Sequence, residues 1–198
     1  MEKDTRIKMI QSATPLFARK GFAGVSIREL AEAAKVNSAL IAYHFGNKEG
    51  LYAAVLDEQF RPISGMLENA SLRKMNPLEV ILYYTESVYA IHKSSPFLIR
   101  FLHSELTNPT ACFDTVVKRY IGQIYPFLYK TFEEGVNSGY FSADLNPNYA
   151  VLSLAGILNF YFIAKPMAME FWPQEQVQDQ SYLMQAVRIY LNGVKRRQ

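Results

Sequence analysis

The sequence predicts an all-α protein of about nine helices, and three observations carry that prediction. Nowhere in the 198 residues do apolar and polar positions alternate with a period of two between hairpin turns. Apolar residues recur at helical spacing instead. Helix-start signals recur with them: Ser26 with Glu29 three residues on, Asn37 or Ser38, Asn47, and the Asn-Pro pairs at 76–77 and 146–147. Hydrophobic residues make up 49% of the chain, enough for a real core and too many for a disordered one.

The first helix is expected over residues 5–20, where Ile7, Ile10, Ala13, Leu16 and Phe17 form an apolar stripe that ends at Gly21. Pro15 removes a donor inside it and should bend it without ending it. A connector, 21–25, leads into a second helix capped by Ser26, in which Ile27, Leu30, Ala31 and Ala34 share a face and the alanines admit a close crossing. The pattern breaks at Lys35-Val36-Asn37-Ser38. A third helix then carries Leu40, Ile41 and the trio Tyr43-His44-Phe45. Two short helices across a tight turn, the second tipped with polar and aromatic groups, have the layout of a helix-turn-helix. Charge agrees: residues 1–50 hold eight Lys/Arg against five Asp/Glu, while the remainder holds thirteen of each. The positive excess therefore sits on the segment that would face phosphates.

Beyond Asn47 a fourth helix carries Leu51, Ala54, Val55, Leu56 and Phe60 and is expected to run towards Ala70, interrupted at Pro62 and Gly65. It links reader to body, so its tilt is the natural transmission element. Helices follow at 77–92, 97–106 and 111–138, the last kinked at Pro126 and closed by Gly139, with 140–144 as a loop. From Asn146-Pro147 an almost wholly apolar helix covers 150–164. Its run is shorter than a membrane span and stops at Lys165-Pro166, so it reads as buried on several sides, by core and by a partner subunit. A polar loop at 174–180 and a final helix at 182–195 complete the chain, and Lys195-Arg196-Arg197 forms a basic tail.

No catalytic or metal-binding constellation is visible. There is no Gly-rich phosphate loop, His-Glu-x-x-His or Gly-x-Ser-x-Gly. Cys112 is the sole cysteine, which excludes an internal disulfide, and Pro96 separates His92 from His103. Neither an enzyme nor a resident cofactor or metal is expected. The start, Met1-Glu2-Lys3-Asp4, has no apolar leader segment, which reads as cytoplasmic. The many aromatics of the second half are either core packing or the lining of a partly polar cavity whose tyrosine hydroxyls meet a ligand.

The positions from Ile10 through Phe17, Gly21-Phe22, Ser26-Ile27-Arg28, Leu30-Ala31, Ala34, Val36, Tyr43-His44-Phe45 and Lys48-Glu49 to Leu51 closely resemble the DNA-binding domain of the TetR family of transcriptional regulators. The resemblance covers about residues 5–55. It implies a helix-turn-helix DNA-binding domain at 1–47 and a helical ligand-binding and dimerisation domain at 48–198. In that family the last two helices pair with their counterparts in a four-helix bundle, and 150–164 and 182–195 look like those helices. The implied function is a regulator, most often a repressor, that binds a palindromic operator as a homodimer and is released by a small-molecule effector. A regulator whose second half is a protein interaction module without a small ligand is the alternative.

Carried over position by position, Ser26 and Arg28 resemble residues that touch the DNA backbone and a base. Asn37, Ser38, Ala39 and Leu40 occupy the groove-facing start of the recognition helix. Tyr43, His44 and Lys48 resemble phosphate contacts, while Phe45 reads as core. Tyr84, Phe101, Tyr120, Phe127 and Asn159 are candidate ligand contacts. The sequence departs from the family pattern at Lys35, where a turn glycine is usual: either Lys35 takes a left-handed backbone or the turn differs. It departs again at Ser38 and Leu40, commonly a basic and a small hydroxyl residue, and at Ala42, often tyrosine. Leu40 has the chemistry to touch a thymine methyl.

Overall fold

The computed structural model describes residues 2–172 and 178–195. Its helices are α1 (Glu2–Lys20), α2 (Ile27–Ala34), α3 (Ser38–Phe45), α4 (Lys48–Phe60), α5 (Pro62–Leu67), α6 (Pro77–Ser94), α7 (Leu98–Thr107), α8 (Lys118–Asn137), α9 (Pro147–Ala168) and α10 (Asp179–Val194). A 3-10 turn, Ala70–Lys74, precedes α6, and a π-helical stretch, Phe113–Val117, opens into α8. Among the described residues there is no β-strand, only an isolated antiparallel bridge between Phe141 and Lys195. The all-α class holds.

The chain forms two compact units: residues up to Pro62 with Ser95–Tyr120, and Ile63–Ser94 with the residues from Ile121 onward. Neither edge falls between 47 and 48, where the expected domain boundary lies, because α4 belongs to the core of the first unit. Leu51, Tyr52, Val55 and Leu56 of α4 are buried with Met9, Ala13 and Phe17 of α1, Leu30 and Ala34 of α2, and Ile41 of α3. The Tyr52 ring meets Phe17 edge-on at 4.9 Å and Phe22 at 5.0 Å. Phe22, expected beneath the helices, is half-buried there.

Polar bonds also tie α4 to the 95–120 segment of the same unit. The Tyr52 hydroxyl donates to Oε1 of the buried Glu105 at 2.8 Å, and Thr110 donates to the same carboxylate through its amide and hydroxyl, both at 3.1 Å. Further along α4, Asp57 accepts from the Tyr120 hydroxyl at 2.7 Å and from Arg119. Burial first, and the Glu105 bond second, push the Tyr52 hydroxyl pKa up, so it stays a proton donor.

In the second unit α10 packs on α6 and α9. Its core contains Ile81, Tyr84 and Val88 of α6, Leu128 and Phe132 of α8, Leu154 and Leu158 of α9, and Leu183, Val187 and Leu191 of α10. The expected loop 140–144 is firmly seated: Phe141 is buried against Phe132 at 5.3 Å, and its ring fills the space where a Cβ on Gly135 would stand. Across the segment that joins α9 to α10, Asp179 accepts from the Tyr161 hydroxyl at 2.7 Å and from Lys165 at 2.8 Å.

Three expectations change. The helix expected over 111–138 is not uniform, since a π-helical turn at Phe113–Val117 interrupts the α-helical bonding. The fourth helix is interrupted at Pro62 as expected, where the missing amide cannot bond the Glu58 carbonyl, but Gly65 lies inside the restarted helix α5, which ends at Leu67 short of Ala70. The apolar helix does not stop at Lys165-Pro166 either, because the helix continues past Pro166 to Ala168. At 22 residues α9 is long and apolar enough to cross a membrane by length and composition. One face of it is buried in the single chain, while Leu152 is 73% and Phe160 66% exposed. Residues 174–177 of the expected polar loop and Arg196-Arg197 of the basic tail lie outside the described residues, and 179–180 already belong to α10.

Candidate nucleic-acid interface

The start of α2 is built as a reciprocal cap. Ser26 has an extended backbone, its Oγ accepts from the Glu29 amide at 3.2 Å, and the Ser26 amide donates to Glu29 Oε2 at 2.8 Å. The Ser26 hydroxyl donates to that same carboxylate at 2.8 Å, and Lys20 of α1 donates to Oε1 at 2.6 Å. The Lys20 bond, followed by those from Ser26, holds the Glu29 carboxyl down at about 2. Its charge therefore persists through the whole neutral range. Two residues past the cap, Arg28 is exposed on the first turn of α2.

The turn into α3 resolves the question at position 35. Lys35 adopts a left-handed backbone, φ 54° and ψ 47°. Its amide donates to Glu32 O and the Val36 amide to Ala31 O, both at 3.0 Å, the paired closing bonds of a Schellman motif. A lysine fills a glycine's place at a strain of roughly 1 kcal/mol. Asn37 then caps α3, its Oδ1 accepting from the Ala39 amide at 2.9 Å. Between α2 and the start of α3 lies an open groove of about 650 Å³, lined by Ile27, Arg28, Ala31, Glu32, Val36, Asn37 and Ser38.

Helix α3 buries only Ile41 fully. At about 100° per residue, Ala39 and Tyr43 stand on the side away from Ile41, with Leu40 and Ala42 on the two flanks. Leu40 is 37% exposed and Tyr43 71%. His44, half-buried, meets the Tyr43 ring edge-on at 5.0 Å. Phe45 is half-buried under the Arg6 guanidinium, which sits 5.2 Å from its ring centre. Of the nine predicted DNA contacts, Ser26, Arg28, Asn37, Ser38, Ala39, Leu40 and Tyr43 are exposed, and His44 and Lys48 are half-buried.

Lys48 differs from its expected role in one respect. Its Nζ donates to the carbonyls of Phe22 and Val25, each at 2.9 Å, and lies 4.4 Å from the centre of the Phe22 ring. The ammonium thus staples the start of α4 to the α1–α2 connector, a contact that local spacing does not signal. Asn47 caps α4 as expected, accepting from the Gly50 amide at 2.8 Å.

The five candidate ligand contacts divide between the units. Phe101 and Tyr120 fall in the first, Tyr84, Phe127 and Asn159 in the second. Phe101 is buried against Tyr52 at 6.1 Å, and Tyr120 is bonded to Asp57 as above. Tyr84 is buried, which raises its hydroxyl pKa, and Phe127 is half-buried. Asn159 donates to Ala155 O at 2.9 Å on its own helix. Near it the buried His92 ring stacks on Phe162 at 3.8 Å; burial pushes the imidazole down to about 4, against a hydrogen bond with Asn159 that acts the other way. No group of three or more His, Cys, Asp or Glu able to hold a metal occurs among the described residues.

A capped α2, a tight turn and an outward-facing α3 beside a basic side chain have the geometry of a helix-turn-helix. Residues 9–55 match the bacterial regulatory proteins of the tetR family. A probable HTH-type transcriptional regulator of Bacillus subtilis, YttP, is 26% identical over 99% of this chain and 96% of its own. The HTH-type transcriptional repressor NicS of Pseudomonas putida is 24% identical over 79% of this chain and 75% of its own. AibR, solved in complex with isovaleryl coenzyme A and operator DNA, has the same fold, with a TM-score of 0.72 at 16% identity over 96% of this chain and 98% of that one. Residues 9–55 thus match a tetR-type DNA-binding domain, and the relatives that align with most of the chain are named as transcriptional regulators.

Proposed function

We propose that this chain is a cytoplasmic repressor that binds a palindromic operator as a homodimer and leaves it when a small-molecule effector binds the helical body. The observation that carries the DNA half of this reading is the continuous outward surface formed by Arg28, Asn37, Ser38, Ala39, Leu40 and Tyr43 on α2 and α3. Arg28 has the fork to bond a guanine edge in bidentate fashion, and Lys35 and Tyr43 flank it for phosphates. Ser26 and Lys48 serve this surface chiefly by fixing the α2 cap and the connector, since the Ser26 hydroxyl proton and two of the Lys48 donors are already used. The domain reading, a DNA reader at 1–47 and a body at 48–198, is kept as a proposed functional division: α4 packs into the reader's core, and its bonds to Glu105, Arg119 and Tyr120 tie it to the 95–120 segment, a route by which movement of that segment would reach the reader.

The homodimer rests on α9 and α10. Leu152, Phe160, Ile163 and Met167 on α9 and Ile189 on α10 are exposed, more large apolar side chains than an isolated helix pair leaves in water without reason. A membrane-spanning role for α9 sits poorly with a helix whose other face supplies Leu154, Leu158 and Tyr161 to a protein core. For the effector, Tyr84, Phe127 and Asn159 are the proposed contacts in the second unit and Phe101 and Tyr120 those in the first. The protein-interaction alternative draws on the fact that Phe101 and Tyr120 are already engaged in their own unit's packing.

The test is fluorescence anisotropy on duplex DNA from upstream of the chain's own gene, with scrambled DNA as control, at two salt concentrations. The expected result is salt-dependent, sequence-preferring binding of two protomers per duplex. Equal weak binding to both duplexes removes the operator reading. A small-molecule screen on the same complex then tests release, and a chain that keeps full operator affinity against every compound favours the interaction-module reading.

A further inference from the structure

The recognition surface has an unusual chemistry, and it restricts the base sequence that this regulator reads. From Ser26 to Gly46 the only Lys or Arg residues are Arg28, on α2, and Lys35, in the turn. On α3 the outward positions are Ala39, Leu40, Ala42 and Tyr43, with Ser38 at the start; none carries an amide, guanidinium or ammonium group. Asn37 has the one carboxamide nearby, and its oxygen is spent on the Ala39 amide. The hydrogen-bonding pairs that read purine edges from a recognition helix, Arg or Lys on guanine and Asn or Gln on adenine, are therefore absent from the outward face of α3. That face offers a methyl, an isobutyl group and a second methyl, with the Ser38 hydroxyl at its start and the Tyr43 phenol at its far end. The floor of the neighbouring groove adds Ile27, 40% exposed, and Val36.

In the major groove of B-DNA the only apolar group that a base presents is the C5-methyl of thymine. We propose that Ala39 and Leu40 read thymine methyls, so that each operator half-site combines a thymine-rich stretch opposite α3 with a guanine opposite Arg28. The inference rests on the DNA-binding reading above and names the sequence class that this surface accepts. Leu40 is then a specificity residue acting through van der Waals contact. Its affinity contribution is large where a methyl is present and small where it is not.

The experiment begins with selection of bound duplexes from a randomised pool by the full-length protein. Its preferred duplex is then made with thymine and again with uracil at the enriched thymines. Uracil keeps every hydrogen bond and removes only the methyl. The expected result is enrichment of thymine runs flanking a guanine, and a loss of about fourfold in affinity per methyl removed beneath α3. Leu40→Ala is expected to bind the thymine duplex more weakly and to lose most of its sensitivity to uracil, while Arg28→Ala keeps that sensitivity. Leu40 is solvent-facing and alanine is a good helix former, so circular dichroism should be unchanged. Thymine and uracil duplexes bound equally well by wild type, or a half-site of G·C pairs opposite α3, would overturn the proposal and leave the operator reading intact. A pool with no enriched sequence would overturn both.

Discussion

Helices α3 and α9 both present apolar side chains to solvent, yet their surroundings differ in a way that supports the different partners proposed for them. Helix α3 is eight residues long and projects Ala39, Leu40, Ala42 and Tyr43 beside two cations, Arg28 and Lys35. Helix α9 is 22 residues long and projects Leu152, Phe160, Ile163 and Met167, while its one lysine, Lys165, is bonded to Asp179. An apolar strip beside free positive charge suits a groove walled by phosphates. A longer strip whose lysine is already paired suits another protein surface. Exposure alone does not tell the two apart; the charge around it does.

The largest effect should come from breaking the longer strip. Phe160→Arg puts a charge in the middle of the exposed face of α9 and is expected to weaken self-association by more than about 2 kcal/mol. Sedimentation velocity should then give a monomer with unchanged helicity, and operator affinity should fall with it. A variant that stays dimeric would place the interface elsewhere.

Next in size are the bonds that hold the reader's core. Tyr52→Phe leaves the buried Glu105 carboxylate without its 2.8 Å donor and should cost about 1–3 kcal/mol in urea unfolding. No change in midpoint would mean that Thr110 satisfies the carboxylate alone. On the DNA surface, Lys35→Gly removes the left-handed strain at φ 54° and should stabilise the fold by up to about 1 kcal/mol, less the extra unfolded-state freedom of glycine. Destabilisation would show that the lysine stem contributes packing that outweighs the strain.

The smallest effect is acid-dependent. The Glu29 carboxyl is lowered in the folded chain, so its contribution is complete above its ordinary range near 4.5 and is lost as pH falls towards about 2. Replacement by glutamine should flatten the melting temperature against pH across that window while leaving its slope above pH 5 unchanged. An unaltered acid limb would mean that other carboxylates dominate it.

What was legible in the chain was local. The Ser26–Glu29 cap and the Asn47 cap follow from residues within four positions of one another, whereas the left-handed option at Lys35 came from the family's usual glycine at that place. The exposure of the proposed DNA contacts on α3 was legible from local spacing, because one buried Ile41 sets the orientation of the whole helix. The tasks of Lys48 and Glu105 were not legible. Lys48 bonds carbonyls 26 and 23 residues away, and Glu105 meets a tyrosine 53 residues away; neither distance leaves a periodic trace. Helix α9 departs from its sequence reading in one way, by continuing past Pro166. A proline removes one helical bond without ending a helix that neighbouring turns support, and sequence alone does not separate an apolar face packed in its own core from one left exposed on the single chain.

The most direct measurement is the affinity of wild type and Arg28→Ala for the selected duplex and for a scrambled one, at fixed salt. Arg28→Ala should cost about 1–3 kcal/mol on the selected duplex and little on the scrambled one, because a base contact is lost and the phosphate contacts remain. Equal losses on both duplexes, or an unchanged preference, would contradict the assignment of α2 and α3 as the surface that reads DNA.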